Sequence, residues 1–254
     1  MRKYLLILIP ICIYLLFFIP CKGYSADLSV GASTWAVMGI QDTGHTTNIS
    51  YPTLLIGPIF SLKFDEDMNL TFVFLYGKFY YIDPLSGAGS SHVSTRIDLD
   101  LAFNYRLNDY FKLFAGLKYL SFDVMKEKHG EFQNNGKHAS MGPGLGISST
   151  FPIEKNLFLL ANLSGFYLGN AGEDKIEKKD SLGNTTDSSK ASYREYGINS
   201  TISIAYYIPD ASTAINLGGR LQYFNTKYKN DEFPIKMKIY MFGATLSATY
   251  SFSI

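Results

Sequence analysis

Two carboxylates two residues apart, Asp98 and Asp100, with Arg96 one step further back, form the densest set of chemically able side chains in this chain. On a β-strand, residues i and i+2 share a face about 6.6 Å apart, so the pair repels itself unless cations sit beside it. Such a set can do one of two things. It can balance charge inside a filled interior, or it can line a narrow pore as a selectivity ring. His92-Val93-Ser94 is the other candidate, because a histidine beside a serine can serve nucleophilic attack if an acid orients it. A histidine at a strand end is also an ordinary solvated residue. His45, His129 and His138 fall in what read as different loops, and no metal-ligand spacing, phosphate-cradling glycine loop or GxSxG sequence occurs. No cofactor is expected.

The element that must carry the acidic pair is a strand. From Val93 to Leu107, Val93, Thr95, Ile97, Leu99, Leu101, Phe103, Tyr105 and Leu107 fall on one face, and Ser94, Arg96, Asp98, Asp100, Ala102, Asn104 and Arg106 on the other. This alternation outlasts the soluble average of about 5–6 residues and suits a tilted strand that crosses a bilayer in about 9–11. Period-two patterning recurs near Leu28–Ile40, Tyr51–Phe64, Asn69–Tyr81, His92–Leu107, Tyr110–Val124, His138–Phe151, Asn156–Gly169, Ala191–Ile208, Thr213–Thr226 and Ile235–Ile254. The expected fold is therefore all-β, a transmembrane antiparallel up-and-down barrel of ten strands. Eight is the alternative, should the blurred third or seventh strand prove irregular.

Connections alternate in length. Asp65 to Met68, Asn108-Asp109, Pro152 to Lys155 and Pro209 to Ser212 are tight turns, whereas Gln41 to Ser50, Asp83 to Ser91, Met125 to Lys137, Ala171 to Lys190 and Lys227 to Pro234 are long. Short turns on the periplasmic side put both chain ends there and the long loops outside. Tyr51, Tyr80, Tyr81, Tyr193, Tyr223 and Tyr228 toward the loops, and Phe64, Tyr105, Tyr110, Phe151, Tyr206 and Tyr250 toward the turns, read as two aromatic girdles. Pro58 and Pro143 interrupt strands, where each removes a ladder donor, so a bulge or irregular pairing is expected at both.

If the turn after the fourth strand centres on Asp109, partners have numbers that sum to 218, which sets Asp100 opposite Lys118 and Arg106 opposite Lys112. The lumen-facing candidates are then Arg96, Asp98, Asp100, Asn104, Lys118 and Arg220. The glycine-rich inner face of the sixth strand, Gly142, Gly144 and Gly146, leaves room for large groups such as Phe114 and Phe166, or allows the wall to bend.

Residues 1–25 have the parts of a cleaved signal peptide: Arg2 and Lys3, an apolar run from Tyr4 to Ile19, then small residues around Ser25 and Ala26. The barrel domain is expected to occupy residues 26–254. Cleavage removes both cysteines, Cys12 and Cys21, and lowers the 23 basic residues to 20 against 22 acidic ones, a formal charge of −2. That balance leaves no nucleic-acid footprint.

With its signal, alternating strands, turn and loop asymmetry, and the carboxyl end Tyr240, Phe242, Ala244, Leu246, Ala248, Tyr250, Phe252, Ile254, the mature chain resembles the small single-domain bacterial outer-membrane β-barrel proteins. Such proteins usually end on an aromatic; here the aromatic is Phe252 and the last residue is Ile254. The resemblance implies the outer membrane as location, its lipid and lipopolysaccharide and the assembly machinery as partners, and a monomer. Asp98-Leu99-Asp100 looks like half of the omptin protease constellation, but the required Asp-x-His is absent. His92-Val93-Ser94 resembles the His-x-Ser of lipid A deacylases. The leading expectation is a non-enzymatic narrow channel or permeability protein with a polar, ion-paired lumen. The alternatives are a closed structural or surface-recognition barrel acting through its loops, above all Ala171–Lys190, and more remotely an interfacial lipid hydrolase.

Overall fold

A computed structural model describes residues 26–42, 44, 47–82, 91–128, 131–171, 174–179, 185–229 and 236–253. The signal-peptide segment, His45, His129 and Ile254 lie outside them. Twelve strands follow one another: β1 (Asp27–Asp42), β2 (Thr47–Ser50), β3 (Thr53–Lys63), β4 (Met68–Ile82), β5 (Ser91–Arg106), β6 (Phe111–Lys128), β7 (Glu131–Glu154), β8 (Leu157–Asn170), β9 (Asp174–Lys179), β10 (Thr185–Ile208), β11 (Thr213–Lys229) and β12 (Lys236–Ser253). A 3-10 turn, Pro209–Ala211, joins β10 to β11. Among the described residues no helix is long and apolar enough to cross a membrane.

Each strand pairs antiparallel with its neighbours, and β1 closes on β12 from Asp27↔Ser253 to Asp42↔Lys238. Eleven strands form the ring and fill ten positions, because β2 and β3 together occupy the place between β1 and β4, while β9 pairs only with β10. The ten-position barrel is thus the one expected, and the third and seventh segments, β4 and β8, are regular wall strands. Closure matters energetically: with every strand of the ring paired on both sides, no open edge leaves backbone groups unsatisfied in lipid.

The outward face is apolar and framed by aromatics. On β10, Tyr196 and Tyr206 point outward with Ile198, Ile202 and Ile204 between them; on β12, Tyr240 and Tyr250 bracket Phe242 and Leu246 in the same way. In both strands the two tyrosines are ten residues apart, about 33 Å of strand, which at a tilt near 40° spans about 25 Å of height. That is the height of a bilayer's apolar band. Tyr81 and Tyr193 depart from the expected girdle: both are buried in the lumen. The pleat explains Tyr81, since adjacent Tyr80 takes the outward position and only one of two neighbours can.

The two prolines interrupt the ladder without shifting it. Pro58 keeps its place opposite Ala32, but the β3–β4 ladder skips from Ile56↔Tyr76 to Ile59↔Val73 in unchanged register. Pro143 behaves alike, opposite Leu117 on one side, with the β7–β8 ladder skipping from Met141↔Gly169 to Gly144↔Phe166. No bulge forms at either. A missing donor faces one neighbour only, so half of the pairing survives.

Segments expected as loops are laddered in part: within Gln41 to Ser50, β2 pairs with β1 from Ile40↔Ile49 to Asp42↔Thr47, and β11 runs on into Lys227 to Pro234 as far as Lys229. The β6–β7 hairpin continues to Lys128↔Glu131, and β9 pairs with β10 from Ala191↔Asp174 to Thr185↔Lys179. Outside the membrane a strand pair needs no apolar face to hold its hydrogen bonds, which is why polar sequence concealed these extensions.

Candidate functional site

The β5–β6 register places Asp100 opposite Lys118 and Arg106 opposite Lys112, the pairing that follows from a turn at Asp109. Halfway along the barrel the inward side chains of β5, β6 and β11 meet. Lys118 Nζ donates to Asp98 Oδ1 at 2.6 Å and to Asp100 Oδ1 at 2.8 Å, and Arg96 Nη2 donates to Asp98 Oδ2 at 2.7 Å. Across the lumen, Arg220 Nη2 reaches Asp100 Oδ2 at 3.3 Å and Asp98 Oδ2 at 3.6 Å, while its Nε donates to Asn199 Oδ1 at 2.9 Å. Gln222 joins by accepting from Arg96 Nη2 at 2.7 Å and donating to Asp98 Oδ2 at 3.3 Å. Five charges are thus linked around Asp98.

Arg106 does not join them. It turns to the short-turn end, where its Nε donates to Asp67 Oδ1 at 2.8 Å and Nη2 stands 3.5 Å from Glu66. Asn104 also lies below the network, its amide donating to Asn69 O and Thr71 Oγ1 at 3.3 Å each.

The network is dry on one side and wet on the other. Arg96 and Asp98 are 0% and 1% exposed, Asp100 34%. Around and outward of Arg96 the lumen is packed with Trp35, Leu75, Phe79, Leu120, Phe122, Phe224 and Met241. The Arg96 guanidinium lies 4.9 Å from the Phe122 ring centroid and 5.2 Å from that of Phe224, and one of its nitrogens contacts Met241 Sδ. Arg220 lies 4.6 Å over Trp35. Cation–π contacts of this kind offset part of the desolvation of a buried guanidinium. On the turn side of the network opens a cavity of about 450 Å³ whose wall mixes serine, threonine and asparagine with apolar side chains, and Asp100, Lys118 and Arg220 face it.

A second buried cluster lies toward the outer end and has no counterpart in the sequence reading. Glu195 of β10 accepts from Thr226 Oγ1 at 2.7 Å and from the Ser140 hydroxyl, and His138 Nε2 stands 3.0 Å from its Oε1. His138 stacks on Tyr193 with centroids 3.8 Å apart, and the Tyr193 hydroxyl donates to Ala139 O. His138 is therefore an inward residue of β7 and not a loop residue. The cluster joins β7, β10 and β11 although β8 runs between β7 and β10, so no local spacing announces it. The only available signal was parity: Ser140 and His138 share the glycine face of β7, and inward Glu195 needed partners. Ser94 is buried with no hydrogen-bond partner for its Oγ, and the His92 side chain lies outside the described residues.

Large rings do fill the space left by the glycines. A Cβ placed on Gly146 would strike the Phe114 ring, and one on Gly197 would meet Phe166 Cζ at 2.7 Å.

A closed antiparallel ring with an apolar band outside and charge within defines a transmembrane β-barrel of the bacterial outer-membrane type. The chain is similar in fold to the outer membrane protease OmpT from Escherichia coli, with a TM-score of 0.51 at 10% identity over 90% of this chain and 97% of that one. Also similar are the translocator domain of autotransporter NalP from Neisseria meningitidis, with TM-score 0.46, 10% identity and 91% and 90% of the two chains covered, and the P. putida toluene transporter TodX, with TM-score 0.37, 10% identity and the same shares. No protein-family model and no curated protein sequence matches the chain.

Proposed function

We propose that this protein is an outer-membrane barrel closed at rest, working as a structural or surface-recognition barrel through its outer hairpins. The observation that carries this reading is the packed lumen: from Arg96 outward, aromatic and aliphatic side chains fill the space a permeant ion would cross. The β6–β7 and β9–β10 hairpins supply the outer surface for recognition. In this reading the protein is a monomer held by outer-membrane lipid and lipopolysaccharide.

A narrow channel is the second reading, and the turn-side cavity favours it, since half of a passage already exists down to the charged network. Conduction would then require the Arg96–Asp98 lock and its aromatic cover to move. Catalysis has less support. The Ser140 hydroxyl donates to Glu195 and not to His138, so this serine and histidine do not form a nucleophile–base pair. The name of OmpT includes protease activity, but at 10% identity the likeness extends to fold alone.

Purified protein in a planar bilayer tests the proposal. Repeated insertion without conducting steps is the expected result. Wild-type steps whose cation-to-anion preference changes in Asp100→Lys would reject closure and establish the channel.

A further inference from the structure

We infer that the turn-side cavity is a binding site for a small hydroxylated anion. Three features of the chamber lead there, and none of them depends on whether the barrel opens or on its outer hairpins. Its volume of about 450 Å³ falls within the range of about 300–1,000 Å³ of small-molecule sites. Its wall is mixed: apolar side chains such as Val73, Phe114 and Phe166 alternate with hydroxyls and amides contributed by several strands, among them Thr71, Asn199 and Asn216. One residue of this wall is unsatisfied: Asn162 Oδ1 is buried with no hydrogen-bond partner, and a turn of that amide toward the chamber would let a ligand hydroxyl satisfy it.

Charge decides the sign of the ligand. Within the central network three cations, Arg96, Lys118 and Arg220, face two carboxylates, Asp98 and Asp100. The surplus is positive and lies against the cavity, where Lys112 adds another cation nearer the mouth. Among the described residues that line the chamber, Asp100 is the sole carboxylate against Lys112, Lys118 and Arg220. Surplus charge in a largely buried site is stabilised by a counter-charge, and here the open side is the one direction from which it can come. Arg220 is held by Asn199 and Asp100, so its guanidinium is set in place before any ligand arrives. A carboxylate or phosphate at Lys118 and Arg220, with sugar-like hydroxyls against the Asn and Thr wall, fits both the charge and the lining. With the short turns on the periplasmic side, the ligand enters from the periplasm.

The chain's one tryptophan reports on this site, because the Trp35 ring is 4.6 Å from the Arg220 guanidinium. Folded protein in a neutral detergent is titrated at constant ionic strength with glucuronate, inorganic phosphate and glucose, while Trp35 fluorescence is followed. Saturable shifts with glucuronate or phosphate, and none with glucose over the same range, are expected. A response to glucuronate alone identifies an acidic sugar as the source of the anion, and a response to phosphate alone a phosphate ester. Arg220→Gln should weaken binding at least tenfold and Arg220→Lys less. Lys112→Gln, outside the central network and so independent of its folding, should weaken it several-fold. No saturable shift with either anion, an equal response to glucose, or unchanged binding in Lys112→Gln would overturn the assignment.

Discussion

At the scale of single residues, Asp98 and Asp100 share a strand face and a lysine but not an environment. Asp98 is wholly buried and meets Arg96, Lys118 and Gln222, whereas Asp100 looks into the cavity. Removing the Asp98 charge leaves cations buried without their counter-ion, a loss of about 3–5 kcal/mol for a desolvated pair. Removing that of Asp100 leaves Lys118 still paired with Asp98 and the site open to water, so about 1 kcal/mol or less is expected. Reversible urea unfolding in lipid vesicles should therefore rank Asp98→Asn well below Asp100→Asn in stability. Equal losses would mean that both sides of the network are equally dry. Lys118→Met combined with Asp98→Asn should lose less than the sum of the single changes, because each single change strands the partner's charge.

At the scale of elements, what could be read was whatever one strand or one tight turn encodes. The alternation of Val93 to Leu107 sets the faces of β5, and the turn at Asp109 sets the β5–β6 register, so the Asp100–Lys118 pair was legible. Arg220 was legible only as inward; that it crosses the lumen to Asp98 depends on ring closure. The Glu195 cluster was illegible for the same reason: Thr226 stands opposite Glu195 on the neighbouring β11, but His138 and Ser140 come from β7, which β8 separates from β10. The hairpin extensions were missed because a polar ladder outside lipid has no apolar face to betray it. The glycine face of β7 makes a testable distinction between space and curvature. Gly146→Ala drives a methyl into the Phe114 ring and the Leu163 carbonyl, and overpacking of this kind costs about 1–3 kcal/mol. Gly169→Ala meets nothing within 4 Å and should stay within about 0.5 kcal/mol of wild type. The midpoint of heat-modified electrophoretic mobility measures both, and Phe114→Leu should restore part of the Gly146→Ala loss. Equal tolerance at the two positions would mean that the glycines serve bending alone.

At the scale of the whole molecule, inside and outside exchange the roles they have in a soluble barrel: charge lies within, and the surface carries the large apolar side chains. Ile202 makes the consequence measurable. It is 60% exposed on β10 between the outer Tyr196 and the turn-side Tyr206, near the middle of the apolar band. On a water-soluble protein a lysine at so exposed a position would change stability by about 0.5 kcal/mol or less. In a bilayer the same lysine sits at the midplane, where the cost is about 2–4 kcal/mol, falling to about 0–1 kcal/mol near either interface. Leu107, exposed beside the turn that follows β5, supplies the interfacial comparison. Unfolding in lipid vesicles should show Ile202→Lys destabilised by the midplane amount and Leu107→Lys nearly unchanged. The contrast depends on depth and not on exposure, since both side chains are already at the surface of the isolated chain. If the two variants were equally stable, the apolar belt would not lie in lipid, and its aromatic frame would have to be explained by contact with another protein.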